Sequence, residues 1–286
     1  MSAISGKAVL AGVFGWPVGH SQSPRLHGYW LDRYKIDGAY LPLATNPENF
    51  EEALRALPKL GFAGANVTVP HKEQALKLVD HLDQGAEVIG AVNTLVVQPD
   101  GSLAGTNTDA FGFIENLKTQ APMWQANQGP AMVLGAGGAA RAVIFALIQA
   151  GTSEIRLTNR TAERAEQLAA EFSTLAGKIS VVAWDERDQA LASVGTLVNT
   201  TTLGMSGKGE LTLPLDDLPA AALVTDIVYT PLLTPLLKSA ESRGNTVVDG
   251  LGMLLHQARP GFEAWFGVAP DVTPELRDYV LAGMGT

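Results

Sequence analysis

The sequence has 286 residues, a formal net charge of −9 and no cysteine. This length is typical of two domains, and the acidic balance without Lys/Arg-rich runs argues against a nucleic-acid-binding protein. The lack of cysteine excludes disulfides and thiolate metal sites and fits a reducing compartment, so we expect a cytoplasmic protein. No two histidines have HxxxH spacing, and no apolar run reaches about 18 residues, so neither a metal site nor a membrane span is predicted.

The first part of the chain alternates strands and helices. Apolar runs predict strands at residues 8–15, 39–43 and 62–69 and a hairpin over 92–105. A helix is predicted at 109–119, and proline opens three further helices between the strands, at Pro24, Pro47 and Pro70. Apolar residues at helical spacing form one face of the helix that Pro70 opens: Ala75, Leu78, Val79 and Leu82.

A Pro/Gly/Gln-rich stretch at 119–130 is a plausible domain junction. After it come predicted strands at 131–134, 154–158, 179–184, 195–199, 222–228 and 246–248, with helices at 138–150 and 161–172. Alternating βα units imply a parallel sheet covered on both faces. The segment from about residue 250 is predicted to be mostly helical, and the pattern alone leaves open which domain it joins.

Residues 131–151 have the pattern of a strand, a tight turn and a helix. Gly135, Gly137 and Ala140 match the G-x-G-x-x-G/A pattern of dinucleotide-binding loops. There the first glycine makes the turn, the second lets the backbone approach a pyrophosphate, and the last small residue lets helix and strand pack closely. The motif alone also fits any tight βα turn, but a second strand in the expected place favours a dinucleotide site.

The residues after that second strand indicate which dinucleotide is bound. NAD sites usually carry Asp or Glu there, hydrogen-bonded to the adenosine ribose. Here Asn159, Arg160 and Thr161 follow the strand, and Arg164 lies one turn further on. Because a guanidinium can hold a 2′-phosphate through two hydrogen bonds, NADP is predicted. The alternative is that Arg160 is a solvated loop cation with Glu163 as its surface partner.

Lys72 is predicted to lie in the first turn of the helix after Pro70. The partial positive charge of a helix N-terminus disfavours a cation there by about 0.3–1 kcal/mol. Such a lysine suits proton transfer if an acid lies close to it, and Asp109, at the start of another predicted helix, is the candidate. The plainer interpretations are that Lys72 only binds an anionic ligand and that Asp109 only complements a helix dipole.

Other polar residues are candidates for binding a hydroxyl-rich ligand. Two hydroxyls at i and i+2 of an extended chain, as at Ser21 and Ser23, point to the same side and suit a carboxylate. Ser23 before a proline is equally an ordinary helix N-cap. Asn93 begins a predicted strand, and Gln257 lies on a helix behind a glycine-rich approach.

The motifs taken together resemble those of the shikimate/quinate dehydrogenase family. They run in order along nearly the whole chain: SQSP (21–24), NVTVPHK (66–72), GAVNTL (90–95), NTD (107–109), GAGGAAR (135–141), NRT (159–161), NTTTLGM (199–205), DIVYTP (226–231) and GMLLHQA (252–258). NVTVPHK and NTD are specific to that family and its relatives, whereas the glycine loop is shared by many cofactor domains.

The resemblance implies an α/β fold with an N-terminal substrate-binding domain and a Rossmann-type, doubly wound NADP-binding domain, with the active site in the interdomain cleft. The implied domains are 1–118, completed by helices from about 253–286, and 119–252. The implied reaction is the reversible NADPH-dependent reduction of 3-dehydroshikimate to shikimate, a step toward chorismate and the aromatic amino acids. The small molecule is the expected partner, without nucleic acid or membrane, and the chain is expected to be a monomer or a homodimer.

The resemblance also implies roles for individual residues. Lys72 and Asp109 would be the catalytic pair. The substrate would contact Ser21, Ser23, Asn66, Thr68, Lys72, Asn93, Asp109, Tyr229 and Gln257. The cofactor would contact Gly135, Ala136, Gly137, Gly138, Ala139, Asn159, Arg160, Thr161, Arg164, Ile227, Gly250 and Met253.

Four alternatives stay open at this point. A quinate/shikimate dehydrogenase with broader cofactor use is one, because apolar pockets discriminate poorly between substrates that differ by a hydroxyl. A quinate-preferring NAD enzyme on the same fold is a related one, and Asn159 and Arg160 argue against it because an acid would be expected there. A non-catalytic sensor of NADP and a hydroxy acid is another, although a sensor has no need of the Lys72/Asp109 pair. An unrelated cofactor-domain protein such as a tetrahydrofolate dehydrogenase is disfavoured by NVTVPHK and NTD.

Overall fold

The computed structural model describes residues 4–175 and 177–284. Its contacts divide the chain into two compact units, one comprising the residues up to Thr108 and from Gln257 on, the other residues 109–256. The boundaries proposed from sequence, 118/119 and 252/253, lie ten residues later and four residues earlier than these. Each unit contains one six-stranded sheet.

The first unit is built on a mixed sheet. Its elements are β1 (Val9–Gly15), α1 (Ser23–Tyr34), β2 (Gly38–Ala44), α2 (Phe50–Ala56), β3 (Phe62–Val67), α3 (Lys72–Leu78), β4 (His81–Leu82), α4 (Gln84–Ile89), β5 (Thr94–Val97) and β6 (Leu103–Thr106). The strand order is β2-β1-β3-β5-β6-β4. Strands β1, β2 and β3 are parallel, and β5 is antiparallel to both β3 and β6, which confirms the predicted hairpin.

The carboxyl-terminal segment of the chain belongs to this first unit. It comprises α9 (Leu251–Phe266) from Gln257 onward, and α10 (Pro274–Leu281). The indole Nε1 of Trp265 donates a 2.9 Å hydrogen bond to the carbonyl of Leu95 in β5. Gly64 makes room for this contact, because a Cβ built there would lie 2.2 Å from Trp265 Nε1 and 2.1 Å from the Leu95 carbonyl oxygen. The helix therefore needs glycine at that point of β3.

The second unit is built on an all-parallel sheet. Its elements are α5 (Asp109–Gln120), β7 (Ala131–Leu134), α6 (Gly138–Gln149), β8 (Glu154–Thr158), α7 (Ala162–Glu171), β9 (Lys178–Val182), β10 (Thr196–Asn199), β11 (Leu223–Asp226), α8 (Pro235–Ser242) and β12 (Thr246–Val248), and α9 begins in it. The strand order is β12-β11-β10-β7-β8-β9. Counted along this unit, that is the 3-2-1-4-5-6 order of a Rossmann fold, so the predicted α/β class and doubly wound sheet are confirmed.

The strands of the second sheet are continuous apolar runs because both of their faces are buried. Helices cover such a sheet on both faces, so its strands need no polar side. All four residues of β7 are buried, as are all four of β10. Leu134 and Leu197 of these strands pack in one core with Leu236 and Leu237 of α8.

Several details of the predicted elements were wrong. Pro70 does not open a helix: it lies in a turn, and α3 begins only at Lys72. The apolar face expected to extend to Leu82 stops early, because α3 ends at Leu78 and Leu82 pairs in β4 with β6. The strand predicted at 222–228 ends at Asp226, which leaves Ile227 in a loop.

No helix among the described residues is long and apolar enough to cross a membrane. The same residues contain no group of three or more His, Cys, Asp or Glu side chains arranged to hold a metal ion.

Candidate functional site

The predicted site residues fall on both units. The first unit carries Ser21, Ser23, Asn66, Thr68, Lys72, Asn93 and Gln257. The second carries Asp109, Tyr229 and all the residues assigned to the cofactor.

The two serines stand at the amino-terminal end of α1. Ser21 Oγ accepts a 3.3 Å hydrogen bond from the backbone N–H of Ser23, which is buried. The expected extended geometry was wrong, because Gln22 between them has helical dihedrals, φ −85° and ψ −5°. The N-cap interpretation of Ser23 was also wrong: Gln22 is the N-cap, and its side chain makes no capping bond. An uncapped helix N-terminus next to two hydroxyls suits a carboxylate.

Asn66 lies at the centre of a buried polar network. Its Nδ2 donates to the backbone carbonyl of Asn93 and to the Thr94 hydroxyl, each at 3.1 Å. Its Oδ1 accepts a 2.6 Å hydrogen bond from the phenol of Tyr40. Both amide hydrogens of Asn66 are therefore used within the protein, and only a lone pair of Oδ1 is left for a ligand hydroxyl.

The network continues from Asn93 to the carboxyl-terminal segment. Asn93 Oδ1 accepts hydrogen bonds from the Thr108 backbone N–H at 2.9 Å, from the Thr108 hydroxyl at 3.2 Å and from the Thr94 hydroxyl at 2.9 Å. Gln257 Oε1 accepts a 3.4 Å hydrogen bond from Asn93 Nδ2 and also lies 3.4 Å from the Thr108 hydroxyl oxygen, whose single hydrogen can point to either Gln257 or Asn93. The structure thus brings together three predicted residues, Asn66, Asn93 and Gln257, that are far apart in the sequence.

Lys72 is the first residue of α3, which confirms its predicted place in the first turn of a helix. Its backbone carbonyl accepts a 3.0 Å hydrogen bond from the N–H of Val92, which ties the start of α3 to the loop just before β5. His71 is the N-cap, buried and stacked on Phe50 with a centroid distance of 4.3 Å. The start of α3 is therefore held by the packed ring of His71 and by this loop.

Thr68 follows β3 in the same segment. Its backbone N–H donates a 2.9 Å hydrogen bond to the carbonyl of Phe14, and its carbonyl accepts from the N–H of His71 at 2.9 Å. Gly15 gives its methyl group room, because a Cβ at Gly15 would lie 2.7 Å from Thr68 Cγ2. The half-buried Thr68 hydroxyl is thus carried on a fixed turn between β3 and α3.

In the second unit, Asp109 is the first residue of α5. The chain just before it is fixed within the first unit, because Asn107 Nδ2 donates a 2.9 Å hydrogen bond to the Ala91 carbonyl and Thr108 is held by Asn93. A carboxylate in the first turn also complements the helix dipole, so its position serves α5 as well.

The glycine loop fits a dinucleotide phosphate. Gly135 has φ +107°, a conformation that disfavours other residues, and a Cβ there would lie 2.8 Å from the Thr200 hydroxyl oxygen. Cβ atoms at Gly137 and Gly138 would meet nothing within 4 Å, so the outer side of the loop is open to a ligand. Gly137 is the N-cap of α6 without a side-chain cap, which leaves the first N–H groups of the helix for an anion.

The expected small residue at the third motif position is present. Ala140 is fully buried where α6 passes β7, as the motif requires for close packing of helix and strand. Gly135 also donates its N–H to the carbonyl of Thr158 at 2.8 Å, so the turn is anchored on β8. The loop lies beside the β7/β10 pair, where the strand order reverses and where ligands bind in open α/β sheets.

The loop after β8 carries two exposed guanidiniums, Arg160 and Arg164. Neither forms an ion pair with another described residue, so the alternative of a surface pair with Glu163 was wrong. Asn159 links this loop to the glycine loop: its Oδ1 accepts from the Ala136 N–H at 3.3 Å, and its Nδ2 donates to the Thr161 carbonyl at 2.8 Å. Asn159 therefore joins the loop that carries Arg160 to the phosphate loop. Neither guanidinium is neutralised by an ion pair with another described residue.

A buried carboxylate supports the loop that carries Ile227 and Tyr229. Asp226, the last residue of β11, accepts hydrogen bonds from Asn199 Nδ2 at 3.0 Å, from the Val228 N–H at 3.0 Å and from the Thr234 hydroxyl at 2.8 Å. Burial raises the pKa of Asp226, and these donors oppose that shift. Burial likewise raises the pKa of the half-buried Tyr229.

The last two predicted cofactor residues lie at the start of α9 and just before it. Gly250 passes the same loop at close range, since a Cβ there would lie 2.4 Å from the Ile227 carbonyl oxygen. Met253 is half-buried in the first turn of α9. Both positions belong to the second unit, and Gly250 lies against the loop that follows β11.

No sequence pattern singled out Tyr40, Thr108 or Asp226. Tyr40 is part of an apolar strand pattern, and its hydrogen bond spans 26 residues of sequence, so no local signal marks it. Thr108 and Asp226 stand inside the motifs NTD and DIVYTP. Their polar character between apolar or turn residues was the signal that could have found them.

Comparison with known proteins agrees with this geometry. The profile of the shikimate dehydrogenase substrate binding domain matches residues 13–95, that of shikimate / quinate 5-dehydrogenase matches 117–204, and that of the shikimate 5′-dehydrogenase C-terminal domain matches 250–274. Among curated proteins, the shikimate dehydrogenase (NADP(+)) of Paramagnetospirillum magneticum is 62% identical over 98% of this chain and 100% of its own length.

Solved structures give the same picture. Shikimate 5-dehydrogenase from Thermus thermophilus, in complex with NADP(H) and shikimate, superposes with a TM-score of 0.84 at 37% identity, covering 96% of this chain and 99% of its own. Quinate dehydrogenase from Corynebacterium glutamicum, in complex with NAD, superposes with a TM-score of 0.89 at 28% identity, covering 96% and 99%. The fold is therefore shared by enzymes that differ in substrate and cofactor.

Proposed function

Because the chain belongs to the shikimate dehydrogenase family, we propose that it catalyses the reversible NADPH-dependent reduction of 3-dehydroshikimate to shikimate. The observation that carries the choice of cofactor is the pair of exposed, unpaired guanidiniums beside an uncapped glycine loop. The relative with 62% identity is named for NADP(+), and the Thermus structure contains NADP(H) and shikimate.

We assign the substrate to the polar residues of the first unit. The uncapped start of α1 with Ser21 and Ser23 suits the carboxylate, and Tyr229 is assigned to the same group. The ring hydroxyls are assigned to the remaining residues, namely Asn66, Thr68, Lys72, Asn93, Asp109 and Gln257. The network around Asn93 supports this, because its acceptors and donors are already oriented by the protein before a ligand arrives.

The cofactor residues fit NADP in two parts. The pyrophosphate is assigned to the loop 135–139 and the α6 N-terminus, and the 2′-phosphate to Asn159, Arg160, Thr161 and Arg164. The nicotinamide is assigned to the neighbourhood of Ile227, Gly250 and Met253. NADPH, when bound, supplies the hydride that reduces the carbonyl carbon.

The chemical step that we assign to the chain itself is a proton transfer. Lys72 Nζ donates a proton to the carbonyl oxygen as negative charge develops on it, and takes that proton back in the reverse reaction. Asp109 orients the ammonium group of Lys72, the first residue of α3.

The test is a spectrophotometric assay at 340 nm with each of four pairs: shikimate or quinate with NADP⁺ or NAD⁺. We expect strong turnover of shikimate with NADP⁺ and weak turnover of the other three. Faster turnover of quinate than of shikimate would show that quinate is the substrate. Faster turnover with NAD⁺ than with NADP⁺ would contradict the role assigned to Arg160 and would not affect the fold. No turnover by folded protein that binds NADP⁺ would favour a sensor. The cytoplasmic location and the monomeric or dimeric state stay predictions.

A further inference from the structure

The phenol of Tyr40 is buried against residues that we assign to the substrate. Tyr40 lies on β2 with its side chain enclosed by the first unit, and only 7% of the residue is exposed. Its ring stacks on the imidazole of His27, with centroids 3.9 Å apart and planes 4° from parallel. His27 belongs to α1, the helix that begins at Ser23. The stacked pair therefore joins α1 to β2 just behind the proposed carboxylate end of the site.

The hydrogen bond from Tyr40 to Asn66 has a determined direction. The Asn66 amide must turn its Nδ2 toward the backbone carbonyl of Asn93, because a carbonyl only accepts. Its Oδ1 then faces Tyr40, and the phenol must be the donor at 2.6 Å. Without that phenol the flipped Asn66 amide, with Nδ2 turned toward residue 40, would cost less free energy. The reason is that no donor at residue 40 would then need an acceptor.

The protonation state of the Tyr40 phenol follows from its environment. Burial raises the pKa of Tyr40 well above its ordinary value. The phenol therefore stays protonated in the assay and donates its hydrogen to Asn66.

We propose that Tyr40 is a positioning residue: its hydroxyl fixes the Asn66 amide, and through it the Asn93 and Thr94 groups, for the substrate. This inference rests on the proposed function and extends it to a residue with no assigned contact to the substrate. Removing the hydroxyl leaves a buried carbonyl oxygen of Asn66 unpaired, which is a costly state, and the amide relaxes out of its binding orientation.

The experiment compares Tyr40→Phe with wild type in the shikimate/NADP⁺ assay. The phenylalanine keeps the ring stacked on His27 and removes only the hydroxyl. We expect KM for shikimate to rise by about tenfold, with kcat within about threefold of wild type and KM for NADP⁺ unchanged. Tyr34→Phe is the matched control, because the Tyr34 phenol accepts a hydrogen bond from the Asp271 N–H on the exposed side of the same unit. That variant is expected to keep both KM values.

A double-mutant cycle separates positioning from a general loss of packing. If Tyr40 acts through Asn66, the KM increase of Tyr40→Phe with Asn66→Ala stays close to that of Asn66→Ala alone. An unchanged KM in Tyr40→Phe, or increases that multiply in the double variant, would overturn the proposal. Should Tyr40→Phe fail to fold, Asn66→Ala decides alone, since an unchanged KM there would leave nothing for Tyr40 to position.

Failure of this inference can be told from failure of the proposed function. If wild type and Tyr34→Phe turn over shikimate and Tyr40→Phe behaves like them, only the role of Tyr40 is lost. If wild type itself has no activity with shikimate, the proposed function fails. In that case, calorimetric titration of shikimate into wild type and Tyr40→Phe still tests the hydrogen bond: equal affinities, or no binding to either, would overturn its role.

Discussion

Asn199 Nδ2 donates a 3.0 Å hydrogen bond to Oδ1 of Asp226, and both side chains are fully buried. Asn199 ends β10 and Asp226 ends β11, so this bond joins two neighbouring strands at their carboxyl ends. The same carboxylate holds Thr234, the N-cap residue of α8. One buried acid thus fixes the loop on which Ile227 and Tyr229 stand.

The free energy of unfolding should depend on pH through the ionisation of Asp226. Because burial raises the pKa of Asp226, the unfolded chain loses the proton at lower pH than the folded chain. The wild-type free energy of unfolding should therefore fall, relative to Asp226→Asn, as the pH rises from about 4 to the folded-state pKa, and then stay level. Urea titrations of both proteins between pH 4 and 7 measure that difference.

The control for this prediction is Asp217→Asn, an exposed site in the same unit. Both variants remove one carboxylate, so a pH dependence that Asp226→Asn shows and Asp217→Asn does not is assigned to the buried site. A constant difference between wild type and Asp226→Asn across the same range would contradict a raised pKa at Asp226.

Removal of the Lys72 amine should affect the chemical step more than binding. We expect Lys72→Ala to lower kcat by about 10²–10⁴-fold, with a smaller change in KM for shikimate. Lys77→Ala, in the last turn of the same helix, is the matched control and should keep kcat. A variant that raises KM while kcat stays at the wild-type value would show that Lys72 only binds the ligand.

Arg160 should bind the 2′-phosphate of NADP⁺. Arg160→Ala removes an exposed guanidinium with no ion pair in the described chain, so stability should change little. KM for NADP⁺ should rise by about tenfold or more, whereas KM for NAD⁺ should stay the same because NAD⁺ lacks that phosphate. Steady-state kinetics with both cofactors measure this, and Arg243→Ala in the same unit is the control. Equal loss with both cofactors would contradict a phosphate contact.

The two glycines of the phosphate loop should respond differently to alanine. Gly135→Ala forces a side chain into φ +107° and against the Thr200 hydroxyl, so we expect the free energy of unfolding to fall by about 1–3 kcal/mol. Gly137→Ala meets no atom within 4 Å and should fold normally. It should still weaken NADP⁺ binding, because the methyl group occupies the open side of the loop. Thermal unfolding and NADP⁺ titration distinguish the two, and equal stability of both variants would contradict the assignment.

Local patterns predicted those parts of the fold where each segment carries its own signal. The strand at 131–134, the glycine turn and the helix after it were predicted because period and turn chemistry agree over a short window. Pro70 was misplaced because a proline suits a turn before a helix as well as its first position. Helices α4 and α8 were not predicted, since the first is short and the second follows a proline-rich loop.

The candidate site was predictable to the extent that motifs mark it. Those motifs led to Asn66, Asn93 and Gln257, and these three residues do share one hydrogen-bond network. The network also needs Tyr40, which lies on a different strand from Asn66 and carries no motif. Contacts of this kind arise from strand pairing and helix packing, so they become visible only once the chain is folded.

The hydrogen bond between Trp265 and Leu95 joins a late segment of the chain to an early strand. Residues 109–256 form a continuous unit, whereas the first unit lacks Gln257 and Trp265 until the ribosome has translated the second. During synthesis the second unit can therefore be complete before Trp265, whose indole packs against Gly64 in β3, has been translated. The first unit is therefore the last to close, although its strands are translated before those of the second. A polypeptide released before residue 257 would have every described strand of the Rossmann sheet and no finished binding network.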